Sequence, residues 1–108
     1  MIKASFCFEP MTDAITQVSL SGHAGFDTYG NDIVCASVSA LLIATINGLE
    51  EYVGINTKVN IKEGDTIFFI DTQSGTQTTQ AQAIVHTFYL AMLGLQDEYE
   101  DFIEVNLM

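Results

Sequence analysis

Positive charge is nearly absent from this sequence, whose 108 residues include three Lys, no Arg and 14 Asp or Glu, for a formal net charge of −11. Proteins that bind nucleic acid neutralise phosphates with clusters of Lys and Arg, and anionic membrane surfaces attract the same clusters. The composition therefore excludes both kinds of partner. A basic protein partner remains compatible with it, because opposite charges steer encounter.

Cysteine and histidine are also scarce. The chain has two of each: Cys7, Cys35, His23 and His86. Small secreted domains are held together by several disulfides, and metal sites use closely spaced Cys and His ligands. Neither pattern is present, so the sequence predicts no metal and no other cofactor.

Long apolar runs and targeting signals are missing as well. The N-terminus lacks the basic and apolar regions of a signal peptide. The longest apolar stretch, residues 33–46, is interrupted by Ser and Thr and is shorter than the roughly 20 residues of a membrane span. We interpret it as a buried helix in a cytoplasmic protein.

What is present is hydrophobic periodicity, which predicts one domain over residues 1–108. Alternating apolar residues predict strands at 2–8, 15–21, 57–61, 67–70 and 103–107, the last of them at a sheet edge. Apolar stripes at helical spacing predict one helix from a cap at Asn31 or Asp32 to Gly54, with Tyr52 in its stripe, and a second from Ser74 to Gly94. The order ββαββαβ predicts an α+β fold, a mostly antiparallel sheet with two helices packed on it.

Three residues that can carry chemistry surround the first helix start. Gly22-His23 ends the second strand, Cys35 lies in the first helical turn, and Ser39 follows on the same face. A helix N-terminus stabilises a thiolate, a nearby His can act as its base, and free N–H groups can hold an oxyanion. The expected chemistry is nucleophilic attack by Cys35.

Other interpretations of these residues stay open. Cysteine is among the most buried residue types, and from spacing alone Cys35 is more simply a core residue. Asp32 can cap the helix or orient His23. Ser39 can hold substrate or bond to the carbonyl one turn earlier.

The segments 22–24 and 30–39 together resemble the signature of the Prp family of ribosomal-processing cysteine proteases. They contain Gly-His, then Asp-Ile-Val-Cys-Ala, with a Ser four residues beyond the Cys. Ser37 departs from the pattern, since the family often has Ala there. The likeness extends more loosely over the whole chain, including a Lys-Glu-Gly-Asp turn at 62–65.

This resemblance implies an endopeptidase that removes an N-terminal extension from a bacterial large-subunit ribosomal protein, cutting after a Phe pair. It implies that Cys35 is the nucleophile and His23 the base, and that Ser39, Asp32 and Gly22 belong to the substrate site. It also implies a basic ribosomal protein as partner, a homodimer, and movement of the glycine-bearing loop between His23 and Cys35.

A hydrophobic cleavage motif requires an apolar cleft, and Phe26 and Tyr29 are candidates to line it. It is equally plausible that these two aromatic rings close over the core. The alternative function is a non-catalytic acidic binding module that chaperones a basic ribosomal protein. A thioesterase or acyl transferase with the same nucleophile is a weaker third hypothesis.

Overall fold

The predicted order of strands and helices is confirmed by the computed structural model, which describes residues 1–28, 31–71 and 75–108. The strands are β1 (Ile2–Phe8), β2 (Ile15–Ser21), β3 (Asn60–Lys62), β4 (Asp65–Phe69) and β5 (Ile103–Leu107). The helices are α1 (Ile33–Asn47), which continues as a π-helical segment (Gly48–Val53), and α2 (Thr76–Glu98). The predicted opening of α2 at Ser74 lies outside the described residues.

The strands form one sheet in the order β3-β4-β2-β1-β5. Three neighbouring pairs are antiparallel, and β5 runs parallel to β1. The predicted α+β fold with a mostly antiparallel sheet is therefore confirmed, as is the edge position of β5.

The core lies on one face of this sheet. Alternation places Phe6 of β1 opposite Val18 of β2, which in turn faces Phe68 of β4, and all three are fully buried. Val34 and Phe88 extend the cluster into α1 and α2. The other face carries Ser5, Gln17 and Ser19 together with the apolar Ile67 and Phe69 of β4.

The first helix is apolar on more than its buried side. Val34, Val38 and Thr45 face the core, whereas Ile33 and Ile43 are 54% and 60% exposed. By length and composition the segment Ile33–Val53 would also pass as a membrane span. The prediction of a buried helix thus holds for one face only.

The prediction that Tyr52 belongs to the apolar stripe of this helix is wrong, since its side chain is 79% exposed. The cause is the π-helical segment, in which the N–H of Gly54 donates to the carbonyl of Leu49, five residues earlier. Each residue turns through a smaller angle there than in an α-helix, so the 3.6-residue phase no longer applies. Gly54 ends the helix as predicted, with φ of +85°.

Other boundaries also differ from the prediction, and strand β4 spans Asp65–Phe69 rather than 67–70. Helix α2 passes through Gly94 to Glu98, because a helical Gly costs only about 1 kcal/mol and Met92 and Leu95 pack against the core on either side of it. Strand β3 begins at Asn60 rather than 57 because Lys58 has φ of +51°, which interrupts extended structure.

Candidate active site

The N-terminus of α1 is closed by the carboxylate of Asp32. Its Oδ1 accepts the N–H groups of Val34 and Cys35, each at 3.0 Å, and its Oδ2 accepts the N–H of Phe26, also at 3.0 Å. The bond from the Cys35 N–H, followed by that from the Phe26 N–H, holds the pKa of Asp32 below its usual value. One side chain therefore caps the helix and ties the preceding loop to it.

Cys35 is the third residue of α1 and is half-buried. Its Sγ accepts the backbone N–H of Ala24 at 3.3 Å. The loop after β2 is thus brought against the helix start, and His23 precedes the residue that contacts the sulfur.

His23 leaves the end of β2 with an exposed side chain. Its backbone is fixed by Gly22, whose N–H donates to the carbonyl of Gly64 at 3.1 Å. Gly22 has φ of +85°, and a Cβ there would collide with the carbonyl oxygen of Met1. Only glycine fits that position without a backbone shift.

A cleft of about 770 Å³ opens beside these residues. Cys35, Ser39 and Ile43 line it at spacings of four residues along α1, with Ile61 from β3 and Thr66 from β4. The remaining lining residues are Ile2, Leu20, Ser21, Gly22, His23, Gly25, Asp27, Asp32, Ala36, Val38, Leu42 and Gly64. The cleft accordingly joins polar groups around the sulfur to apolar side chains further along α1.

Most of the predicted site residues meet in this cleft: His23, Cys35, Ser39, Asp32 and Gly22 all line it. Between the described side chains of His23 and Cys35, the structure has no direct hydrogen bond. The hydroxyl of Ser37 donates a hydrogen bond to the carbonyl of Ile33, one helical turn earlier, at 2.7 Å. The hydroxyl of Ser39 makes no such bond. The hydroxyl of Ser39 is therefore available to the cleft.

The two aromatic candidates have different outcomes. The ring of Phe26 is not among the residues that line the cleft, and it forms edge contacts with Phe102 at 5.0 Å and Tyr99 at 5.8 Å. These contacts favour the other role left open for Phe26, in which its ring packs over apolar neighbours, and its role in substrate binding stays a prediction. Tyr29 lies outside the described residues, as does Gly30.

One correction concerns the N–H groups of the helix start. Those of Val34 and Cys35 donate to the Asp32 side chain, and that of Ala36 donates to the Asp32 carbonyl at 3.0 Å. The expected oxyanion site at these donors is wrong for this conformation. Of the two roles left open for Asp32, the structure has the helix cap, and no hydrogen bond joins it to His23 among the described residues.

Sequence reasoning did not identify Ile43, Ile61 and Gly64 as parts of the cleft. Ile43 lies eight residues after Cys35, so helical spacing could have found it. The hairpin that carries Ile61 and Gly64 is predicted by the turn at 63–65, but it reaches the site through the pairing of β4 with β2, for which the sequence gives no comparable signal. In the described part of the chain, no group of three His, Cys, Asp or Glu side chains is arranged to hold a metal ion.

Comparison with known proteins gives consistent results. The family model for the cysteine protease Prp matches residues 1–104. The ribosomal processing cysteine protease Prp of Staphylococcus aureus is 30% identical over 92 residues, which cover 85% of this chain and 86% of the relative. The protein of the same name from Bacillus subtilis is 23% identical over 94 residues, covering 84% of each.

Solved structures match over the whole chain. The Staphylococcus aureus protease Prp with a covalently linked product peptide superposes with a TM-score of 0.90 at 27% identity, covering 100% of both chains. A Streptococcus mutans protein superposes with a TM-score of 0.80 at 27% identity, covering 100% of this chain and 94% of the other.

Proposed function

The chain belongs to the Prp family of cysteine proteases, and from that premise we propose that Cys35 is its nucleophile and His23 its general base and acid. The observation that carries the assignment is the hydrogen bond from the Ala24 N–H to Sγ of Cys35, 3.3 Å long. It holds the sulfur at the cleft wall, one residue from His23 along the loop. Cys7, the other cysteine, lies on β1 and does not line this cleft.

The proposed reaction has two stages. His23 takes the proton from Sγ, the thiolate forms a bond to the substrate carbonyl carbon, and the imidazolium then protonates the leaving amine as the C–N bond breaks. Water hydrolyses the resulting thioester and regenerates the thiol. We expect the hydrogen bond between His23 and Cys35 to form when peptide fills the cleft, because catalytic hydrogen bonds often shorten only in the complex.

The proposed oxyanion donor is found by setting aside the backbone N–H groups near Cys35 that already donate to Asp32. Since the helix-start N–H groups of Val34 and Cys35 are taken by Asp32, the N–H of Ala24 is the donor that already points at the reacting atom. We assign it to the developing oxyanion, which forms two bonds away from the sulfur. The Ser39 hydroxyl, one helical turn further along the cleft, is assigned to the substrate.

The proposed substrate is the N-terminal extension of a bacterial large-subunit ribosomal protein, cut after a Phe pair. The relatives are named for ribosomal processing, and the apolar cleft wall formed by Leu42, Ile43 and Ile61 suits a hydrophobic segment. The net charge of −11 favours encounter with a basic ribosomal protein.

The test is a mass-spectrometric cleavage assay under reducing conditions, with a synthetic peptide that spans the hydrophobic extension and the cut site. We expect one cut, after the Phe pair, by the wild-type protein and by Cys7→Ala. We expect no cut by Cys35→Ala or His23→Ala. The Cys7→Ala variant is the matched control because it removes the chain's other thiol.

Cleavage that persists in Cys35→Ala would contradict the assignment of the nucleophile. An intact peptide in every reaction, together with salt-sensitive binding of the full ribosomal protein, would favour the acidic binding module. A homodimer and a cytoplasmic location remain predictions, and light scattering on the purified chain tests the first of them.

A further inference from the structure

We propose that Gly64, in the turn between β3 and β4, is a positioning residue for the imidazole of His23. The inference rests on the proposed function, since it concerns the base of that reaction. It adds a second role for the turn: besides joining two strands, it limits where the base can lie.

Two contacts join this turn to the loop that carries the base. The carbonyl of Gly64 accepts the N–H of Gly22, 3.1 Å away, which fixes the backbone immediately before His23. The missing side chain of Gly64 leaves room for the ring itself: a Cβ there would lie 3.3 Å from Nε2 of His23 and 3.7 Å from Cε1. The turn therefore touches both the backbone and the side chain of this segment.

The imidazole has little else to hold it. It is exposed, and none of the described residues forms a hydrogen bond with it. The peptide surface at Gly64 is thus a wall beside Nε2, and any Cβ at that position pushes the ring away by a few tenths of an ångström. The rate of a reaction that depends on a positioned catalytic group is sensitive to displacements of this size, because moving that group by about 1 Å can lower the rate 100-fold.

The backbone at Gly64 gives a second effect that has to be separated from the first. Its φ is +76°, so a residue with a side chain is strained there. Asn adopts a positive φ more readily than Ala does. Gly64→Ala therefore adds a Cβ and backbone strain, whereas Gly64→Asn adds a Cβ with less backbone strain. Gly54→Ala is the matched control, because Gly54 has φ of +85° and a Cβ there would meet only Gln77, at 3.7 Å.

The experiment measures peptide cleavage, thermal stability and the imidazole NMR signals of each variant. The chain has only two histidines, so the spectrum of His23→Ala assigns both. We expect Gly64→Ala and Gly64→Asn each to lower kcat about tenfold with little change in KM, and to shift the His23 signals but not those of His86. Gly54→Ala should keep kcat within about twofold while losing thermal stability as Gly64→Ala does.

The proposal is overturned if kcat follows thermal stability across the three variants, or if the His23 signals stay where they are in the wild type. In that case the loss of cleavage in His23→Ala and Cys35→Ala would still support the proposed function. If the wild-type chain itself cuts no peptide, the proposed function fails and the positioning role fails with it.

Discussion

Replacing Asp32 by Asn separates the cap of α1 from the charge beside Cys35, the proposed nucleophile. Asn keeps an oxygen at the position of Oδ1, which accepts the N–H groups of Val34 and Cys35, and Asn and Asp are equally good caps. It removes the negative charge, while the Cys35 backbone N–H keeps an acceptor. It also removes Oδ2, the acceptor of the Phe26 N–H.

The loss of this charge acts on the reactive form of Cys35. The negative carboxylate repels a negatively charged sulfur next to it, and the thiolate is the form that reacts with alkylating agents. Asp32 is in contact with solvent, and two charges about 4 Å apart in water change an equilibrium by about fivefold. We therefore expect the alkylation rate of Cys35 at pH 7 to rise about fivefold in Asp32→Asn.

The assay is the rate of alkylation by iodoacetamide between pH 5 and 9, in a Cys7→Ala background so that one thiol reacts. Asp27→Asn is the matched control, because it removes a charge from the same cleft without a contact to Cys35. Its alkylation rate should stay within about twofold of the parent. An unchanged or slower rate in Asp32→Asn, with the fold intact by circular dichroism, would refute the reasoning.

Four further predictions follow from single contacts. Ser39→Ala should lower peptide kcat/KM about tenfold without a change in Tm, because its hydroxyl makes no bond within α1; an unchanged kcat/KM would contradict its assignment to substrate. Ile61→Asn should raise KM about fivefold at constant kcat, since this side chain is 72% exposed at the cleft. Phe88→Ala should cost about 3–5 kcal/mol in urea unfolding, because the ring is 2% exposed. The Thr12 hydroxyl, followed by the Met11 N–H, lowers the pKa of Glu9 from 4.5, so its stabilisation is present above that pH and is lost as pH falls through the lower folded value. The Tm difference between wild type and Glu9→Gln should accordingly shrink between pH 6 and pH 3.

The order of elements could be predicted because each one repeats its pattern over several residues. Alternation along β1 and β2 puts Phe6 and Val18 each on the apolar face of its own strand, and the strand pairing then places them opposite each other. The prediction failed at the π-helical segment that exposes Tyr52, because its hydrogen bonds differ from those of α1 by one residue and no propensity distinguishes the two.

The site was predictable only in part, for a related reason. Cys35 and Ser39 share a helical face by spacing alone, and the structure places His23 in the same cleft. Whether Phe26 covers Phe102 or lines the cleft depends on the relative position of α2, β5 and the loop, which no local pattern encodes. The same is true of Gly64, which reaches His23 only through strand pairing.

The helix start shows that two sound local expectations can compete for the same atoms. An Asp cap and an oxyanion site at the N-terminus of α1 both require the N–H groups of Val34 and Cys35, and the cap has them. The polar groups left for chemistry then lie on one loop: the imidazole of His23 and the N–H of Ala24, next to it in the chain. Asp32 holds that loop at Phe26, and Gly64 holds it at Gly22. A movement of the loop would therefore displace the proposed base and the proposed oxyanion donor together, so substitutions at Asp32 or Gly64 should lower kcat before they raise KM.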